Sequence, residues 1–236
     1  MNVAPAPSGL GPRGVVTRLE PTRSERTLAR RSAETRATVP SVEFATVVDM
    51  ERSLATEAEI GCGIAALLVR AAARALVAVP RVNGAYRDGH YELHSRVNIG
   101  VVVTEGDLYT IPTVLDADAK PAAEIAAELA DVRARALADE LRPADLAGAT
   151  FTLATPDPDA SRPGSDVAAL TPLIVPPQAA AMATGPVRET PVVRDGAVVP
   201  GHTMVVTLAC DHRIVYGTYA SSFLGEFKAY LEEGKA

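Results

Sequence analysis

The chain has 236 residues, 47% of them hydrophobic but only 4% aromatic and none of them Trp. That is enough for one large domain or two small ones, with a core built from Val, Ile, Leu and Ala. A formal net charge of −6, with arginines scattered rather than patched, argues against a nucleic-acid or anionic-membrane surface.

Residues 1–16 are rich in Pro, Gly and Ala and read as a flexible lead-in; residues 17–236 form one domain. Residues 22–37 carry apolar groups too sparsely for a core helix, although Arg23, Arg26, Arg30 and Arg31 lie close together on a helical wheel. Pro40 ends that segment, and residues 42–48 alternate as a strand. Cys62 and Cys210 give neither a disulfide framework nor a zinc spacing, so no metal site is expected. The stretch from Gly63 to Val79 predicts a strongly apolar helix with Arg70 and Arg74 on its wet face, ended by Pro80. Those arginines interrupt the longest apolar runs, and the N-terminus lacks a signal peptide. A cytoplasmic protein without a membrane partner is expected.

Residues 97–103 and 108–114 read as strands around a turn at Glu105-Gly106-Asp107. Pro121 opens an amphipathic helix over about 121–139, and residues 150–154 are again a strand. A loop rich in Pro and Asp follows to Asp166. Leu173-Ile174-Val175 and residues 179–185 suggest short sheet segments around a tight bend at Pro176-Pro177-Gln178. Residues 192–199 form a hairpin with Asp195-Gly196 at its turn. Strands and helices alternate irregularly, which predicts an α+β sandwich: a mixed β-sheet with helices on one face.

Near the C-terminus an apolar strand, 204–209, runs into Cys210-Asp211-His212-Arg213-Ile214-Val215-Tyr216-Gly217, and a helix over about 219–231 follows. An imidazole at a strand end can reach a cleft and act as a base near neutral pH. The alternative is a structural histidine bonded to its own strand end. His90, His94 and His202 lie in or near turns, where solvated or capping roles suit them better. Asn98, inside a strand, is suited to bonding an adjacent loop.

These elements, in this order, resemble the catalytic domain of the dihydrolipoamide acyltransferases of 2-oxo acid dehydrogenase complexes, whose fold is shared with chloramphenicol acetyltransferase. The resemblance runs from about Arg26 to Leu231. It is carried by Thr38-Val39-Pro40, residues 79–84, 97–103, 111–114 and 148–152, Pro176-Pro177-Gln178-Ala179-Ala180 and Asp211-His212-Arg213. It implies a homotrimer with active sites at subunit interfaces and His212 as general base. Acyl thioester and acceptor would meet there without a covalent enzyme intermediate.

Two departures stand out. The family pattern Asp-His-Arg-x-x-Asp-Gly has Tyr216 in place of its second Asp, which normally pairs with an arginine near the domain start. Asp211, Arg213 and Gly217 remain to support the loop, with Arg26 or Arg23 as that partner's remnant. Tyr216 either packs on the loop or offers its phenol to substrate. At Ala154 the family commonly has a serine that steadies the oxyanion, so Thr152 and Thr155 become candidate donors. Thr152 is equally a strand residue chosen for β-propensity.

Sixteen lead-in residues are too few for a lipoyl domain, and the C-terminal residues are charged. A free trimer without a cage, and an acceptor other than lipoamide, are therefore expected. The resemblance then points to a stand-alone acyltransferase moving an acetyl group from acetyl-CoA, a co-substrate rather than a bound cofactor, to a small-molecule hydroxyl. Tetronate-type O-acetylation in natural-product biosynthesis is the favoured setting. The alternatives are a degenerate scaffold without chemistry, or an acyl-carrier protein as donor, for which a basic patch around Arg188 and Arg194 would speak.

Overall fold

The computed structural model describes residues 14, 16–105, 108–155 and 167–234. The loop expected over 155–166 therefore lies almost wholly outside the described residues, as do Gly106 and Asp107 of the expected turn. Helix α1 (Arg23–Thr38) opens the domain. The sparsely apolar segment still makes a helix because Thr22 and Glu25 close a capping box at its start. Its Thr35 is buried and donates to the Ile174 carbonyl. Strand β1 (Ser41–Asp49) follows, then α2 (Glu51–Ile60), which the sequence reading passed over, and α3 (Ile64–Ala78). Gly61 at φ 62° ends α2 in the left-handed region, where a side chain would be strained.

A hairpin of β2 (Gly84–Arg87) and β3 (His90–Leu93) comes next, also unforeseen, although Asp88-Gly89 is a two-residue turn signal. The strand expected over 97–103 breaks into β4 (Ile99–Val101) and β5 (Val103–Glu105), and that over 108–114 into β6 (Leu108–Thr110) and β7 (Thr113–Val114). Of these, β4 and β7 belong to the main sheet, while β5 and β6 pair only with each other. Helix α4 (Ala122–Leu137), β8 (Phe151–Ala154), β9 (Ala180–Thr184), β10 (Arg188–Arg194), β11 (Ala197–Asp211) and α5 (Gly217–Glu233) complete the chain. Leu173-Ile174-Val175 is not a strand. It is a covering loop with Ile174 buried against Ala181 and Ala209.

The main sheet runs β1-β11-β9-β8-β4-β7, with β10 on the free part of β11. The β9–β8 and β8–β4 pairs are parallel and the rest antiparallel, so the sheet is mixed as expected. Its two faces differ sharply. Alternation along the strands turns Ile99, Phe151, Leu153, Met182, Leu208 and Cys210 toward α3 and α5, into one large core. Phe151 and Phe223 meet there at 5.6 Å, and burying each such ring contributes about 1.5–3 kcal/mol. The opposite face is small: Gly100, Thr152, Ala154, Ala181, Ala183 and Ala209.

Arg74 is exposed as expected, but Arg70 is half-buried and donates to the carbonyls of Asp118 and Lys120, tying α3 to the chain before α4. Asn98 does bond adjacent loops: its Nδ2 donates to Gly148 and its Oδ1 accepts from Asp116 N–H. No single helix among the described residues is long and apolar enough to cross a membrane.

Candidate active site

Strand β11 ends at Asp211, and the chain then makes a tight turn. Asp211 takes both Ile214 N–H and Val215 N–H on its carbonyl, and Ile214 and Val215 plunge into the main core. That anchoring leaves His212 no choice but to face outward. Its backbone N–H donates to Pro40 O at 3.0 Å, which locks the turn against the start of β1. The Asp211 carboxylate is buried and grips Arg213 as a fork: Nε at 2.9 Å, Nη2 at 2.7 Å and the backbone N–H at 3.0 Å. The pairing keeps the Arg213 guanidinium charged, its pKa raised first by that hydrogen bond. Asp211 and Arg213 thus hold the loop with each other.

Arg26 is not brought to this loop. Its guanidinium donates to Pro21 O at 2.6 Å, just ahead of α1. Gly217 opens α5 with ordinary room around it, since an added Cβ would meet only Phe44 at 3.8 Å. Nothing in the structure requires glycine there.

Tyr216 caps α5 from outside with no side-chain bond to the helix. Its ring stands edge-on to the His212 imidazole at 5.8 Å, and its hydroxyl lies 3.1 Å from that of Tyr91. That bond, ahead of desolvation, raises the Tyr91 phenol, which stays protonated. Tyr216 therefore does more than pack. It ties the His212 loop to the β2–β3 hairpin.

The hairpin brings in side chains that the sequence reading missed. Tyr86 and Tyr91 are cross-strand partners, with rings 6.0 Å apart. Arg213 lies over Tyr86 at 4.7 Å. Arg81, just ahead of the hairpin, lies over Tyr91 at 4.0 Å and over Tyr219 of α5 at 5.3 Å, while its Nε donates to Ile214 O. Four of the chain's six tyrosines are thus linked in one cluster that meets His212 through Tyr216. The legible clue was the Asp88-Gly89 turn, which pairs Tyr86 with Tyr91. Gly84 lets the hairpin lie close: a Cβ there would sit 2.7 Å from Glu92 O and 3.3 Å from Ile214. Asn83 closes the hairpin's base by donating to His94 O and Arg96 O.

The oxyanion candidates fare differently. Thr152 is buried and its hydroxyl is spent on Gln178 Oε1 at 2.8 Å, so it is a pillar between β8 and the bend before β9. Ala154 is half-buried at the end of β8, and Thr155 follows it at the border of the described residues. Of the other histidines, His202 bonds Glu51 and His90 bonds Asp88 O, both away from His212. Arg188 and Arg194 sit at opposite ends of β10, roughly 20 Å apart at strand spacing, and Arg194 is paired with Asp49. They do not form a patch.

Burial pushes the Cys210 thiol up to about 12, and burial likewise raises that of Cys62. Among the described residues no group of three His, Cys, Asp or Glu side chains is placed to hold a metal ion.

The layered sheet defines an acyltransferase sandwich of the chloramphenicol acetyltransferase type; a chloramphenicol acetyltransferase superposes with a TM-score of 0.52 at 13% identity, covering 86% of this chain and 94% of its own. Residues 15–236 match the 2-oxoacid dehydrogenases acyltransferase catalytic domain, and the chain belongs to that family. A probable dihydrolipoamide acetyltransferase from Listeria monocytogenes has a TM-score of 0.82 at 25% identity, over 92% of this chain and 94% of its own. The cubic core of a pyruvate dehydrogenase complex, at 23% identity, has a TM-score of 0.85 over 98% and 97%.

Among curated relatives, the mitochondrial acetyltransferase component 3 of the Arabidopsis thaliana pyruvate dehydrogenase complex is 36% identical over 182 residues, which are 72% of this chain and 31% of that one. The corresponding component from Zymomonas mobilis is 29% identical over 219 residues, 88% of this chain and 48% of that one. The chain thus spans about a third to a half of these relatives' length.

Proposed function

We propose that this chain moves an acetyl or similar acyl group from a coenzyme A thioester to the hydroxyl of a small-molecule acceptor, with His212 as general base. The carrying observation is the setting of His212: an exposed imidazole on a turn fixed by Pro40 O, the Asp211–Arg213 fork and the buried Ile214-Val215 pair. Among the described residues neither of its ring nitrogens has a hydrogen-bond partner, so both are free for proton transfer.

In this reading the imidazole takes the acceptor's O–H proton as the oxygen adds to the thioester carbonyl carbon. The tetrahedral oxyanion collapses, the carbon–sulfur bond breaks, and the leaving thiolate takes the proton back from the imidazolium. No acyl-enzyme forms. With Thr152 committed to Gln178 and no hydroxyl at Ala154, the role of orienting the acceptor falls to Tyr216, whose ring abuts the imidazole. Tyr216 and Ala154 are what favour an acceptor other than lipoamide. Tetronate-type O-acetylation is the setting that suits a small hydroxylated acceptor.

The acting unit in this proposal is a homotrimer. His212, Tyr91 and Tyr216 are all exposed in one chain, whereas thioester chemistry calls for exclusion of water. A second copy laid over the site would supply that cover. Light scattering should give three times the chain mass, and a monomer retaining full activity would remove the shared site.

The test of the chemistry is substitution of His212 by Ala. It should lower transfer by about 10²–10⁴-fold, as expected for loss of a general base. Acetyl-CoA at about a hundred times its dissociation constant should still stabilise the variant by roughly 2.7 kcal/mol in thermal unfolding. A variant that transfers at the wild-type rate would leave His212 structural.

A further inference from the structure

We propose that Arg81 is an anion clamp for the acceptor, so that the substrates are hydroxy acids: a carboxylate sits on Arg81 while the hydroxyl lies at His212. The inference rests on the proposed function and names its substrate class.

Arg81 is half-buried, and three contacts fix its plane: Nε on Ile214 O at 3.1 Å, Tyr91 at 4.0 Å and Tyr219 at 5.3 Å. An arginine stacked between rings cannot swing freely to find a partner, and its fork is already oriented. Yet among the described residues no carboxylate and no carbonyl takes its terminal nitrogens. Other arginines here are used differently. Arg213 is forked on Asp211, Arg135 on Asp131 and Asp145, Arg96 on Asp116, and Arg70 on two backbone carbonyls. In a chain with 29 acidic and 23 basic side chains, a pre-oriented guanidinium without a carboxylate is a site awaiting one.

Its position relative to His212 follows from a continuous run of contacts. Arg81 lies on the Tyr91 ring, the Tyr91 hydroxyl bonds the Tyr216 hydroxyl, and the Tyr216 ring abuts the imidazole. A hydroxy acid long enough to lie extended along the two phenols would place its carboxylate at one end of this run and its hydroxyl at the other. The planar fork selects a planar, two-oxygen anion, a carboxylate, over a neutral amide of the same shape.

The absence of Trp, with four of six tyrosines at the site, makes intrinsic tyrosine emission a direct probe. The trimeric protein is titrated with 8-hydroxyoctanoate and, separately, with its primary amide, in the wild type, Arg81→Gln and Arg81→Lys. The acid should perturb the emission saturably and the amide should not. Arg81→Gln should weaken acid binding tenfold or more, Arg81→Lys by less, and both should melt with a saturating shift from acetyl-CoA like that of the wild type.

Equal responses to acid and amide, including none from either, overturn the proposal. So does an Arg81→Gln variant that loses acetyl-CoA binding while keeping its preference for the acid, since the anion would then belong to the donor. The His212→Ala variant separates the two readings. Unchanged acid binding without transfer supports both, and undiminished transfer with the acid preference intact removes the base while leaving the clamp.

Discussion

The two β-hairpins of this chain are built on the same local device and are used for different ends. Each turns at Asp-Gly, with φ of 50° and 80° at Asp88-Gly89 and 51° and 81° at Asp195-Gly196, the pattern of a tight two-residue loop that matches strand twist. The first hairpin is short, and its cross-strand pair is Tyr86 and Tyr91, which reach the loop of His212. The second is an extension of β11, with Val193 and Val198 paired and more than seventy per cent exposed, and its charges serve attachment: Arg194 on Asp49, and His202 on Glu51. Turn chemistry therefore decides that a hairpin forms. What the hairpin does is decided by what the rest of the chain brings against its faces.

That contrast can be broken at several points. The largest effect is expected from Gly84→Ala. The new Cβ would stand 2.7 Å from Glu92 O and 3.0 Å from Leu93, forcing the first hairpin away from Ile214. Overpacking of this kind costs about 1–3 kcal/mol. A displaced Tyr91 should lower kcat/KM for acyl transfer by on the order of a hundredfold. A crystal structure of the variant with the hairpin unmoved would count against this account.

The paired variants Gly89→Ala and Gly196→Ala sharpen the comparison. Both glycines sit at φ near 80° with open space around them, so each substitution should cost about 1 kcal/mol through backbone strain alone. Thermal melts should show similar losses, while only Gly89→Ala should slow transfer. Equal effects on transfer would mean that the hairpins do not divide the work as described.

The smallest effect concerns how the second hairpin is moored. The Glu51 carboxyl is held below its ordinary range, first by the His202 N–H and then by its imidazole. A depressed carboxylate contributes stability above the unfolded pKa and loses it as pH falls through the folded one. Glu51→Gln should therefore melt below the wild type at neutral pH, and the gap should close on acidification below the ordinary glutamate range. A gap that persists in acid would assign the difference to packing instead.

Much of the fold was legible because it rests on local signals. Periodicity located α3, α4 and α5 and most strands, and Asp195-Gly196 located a turn. Where elements were misplaced, long-range contacts or a local signal other than periodicity were responsible. Leu173-Ile174-Val175 has strand-like composition but is pinned as a cover over Ala181 and Ala209, and α1 owes its start to a two-residue cap rather than an apolar stripe.

The same division applies to the site. His212, Asp211 and Arg213 are neighbours in sequence and could be read together. Tyr86, Tyr91 and Arg81 lie more than a hundred residues away, and only the docking of the first hairpin on Ile214 shows their place. Thr152 was open to either reading until Gln178 was seen to take its hydroxyl.

The two cysteines have a practical consequence. Both are free, Cys210 is fully buried one residue before Asp211, and burial suppresses thiolate at each. Reactivity toward disulfide reagents follows the thiolate fraction and access. The folded protein should thus be silent in a colorimetric sulfhydryl assay, so that in the proposed reaction every thiol counted would be coenzyme A released from the donor.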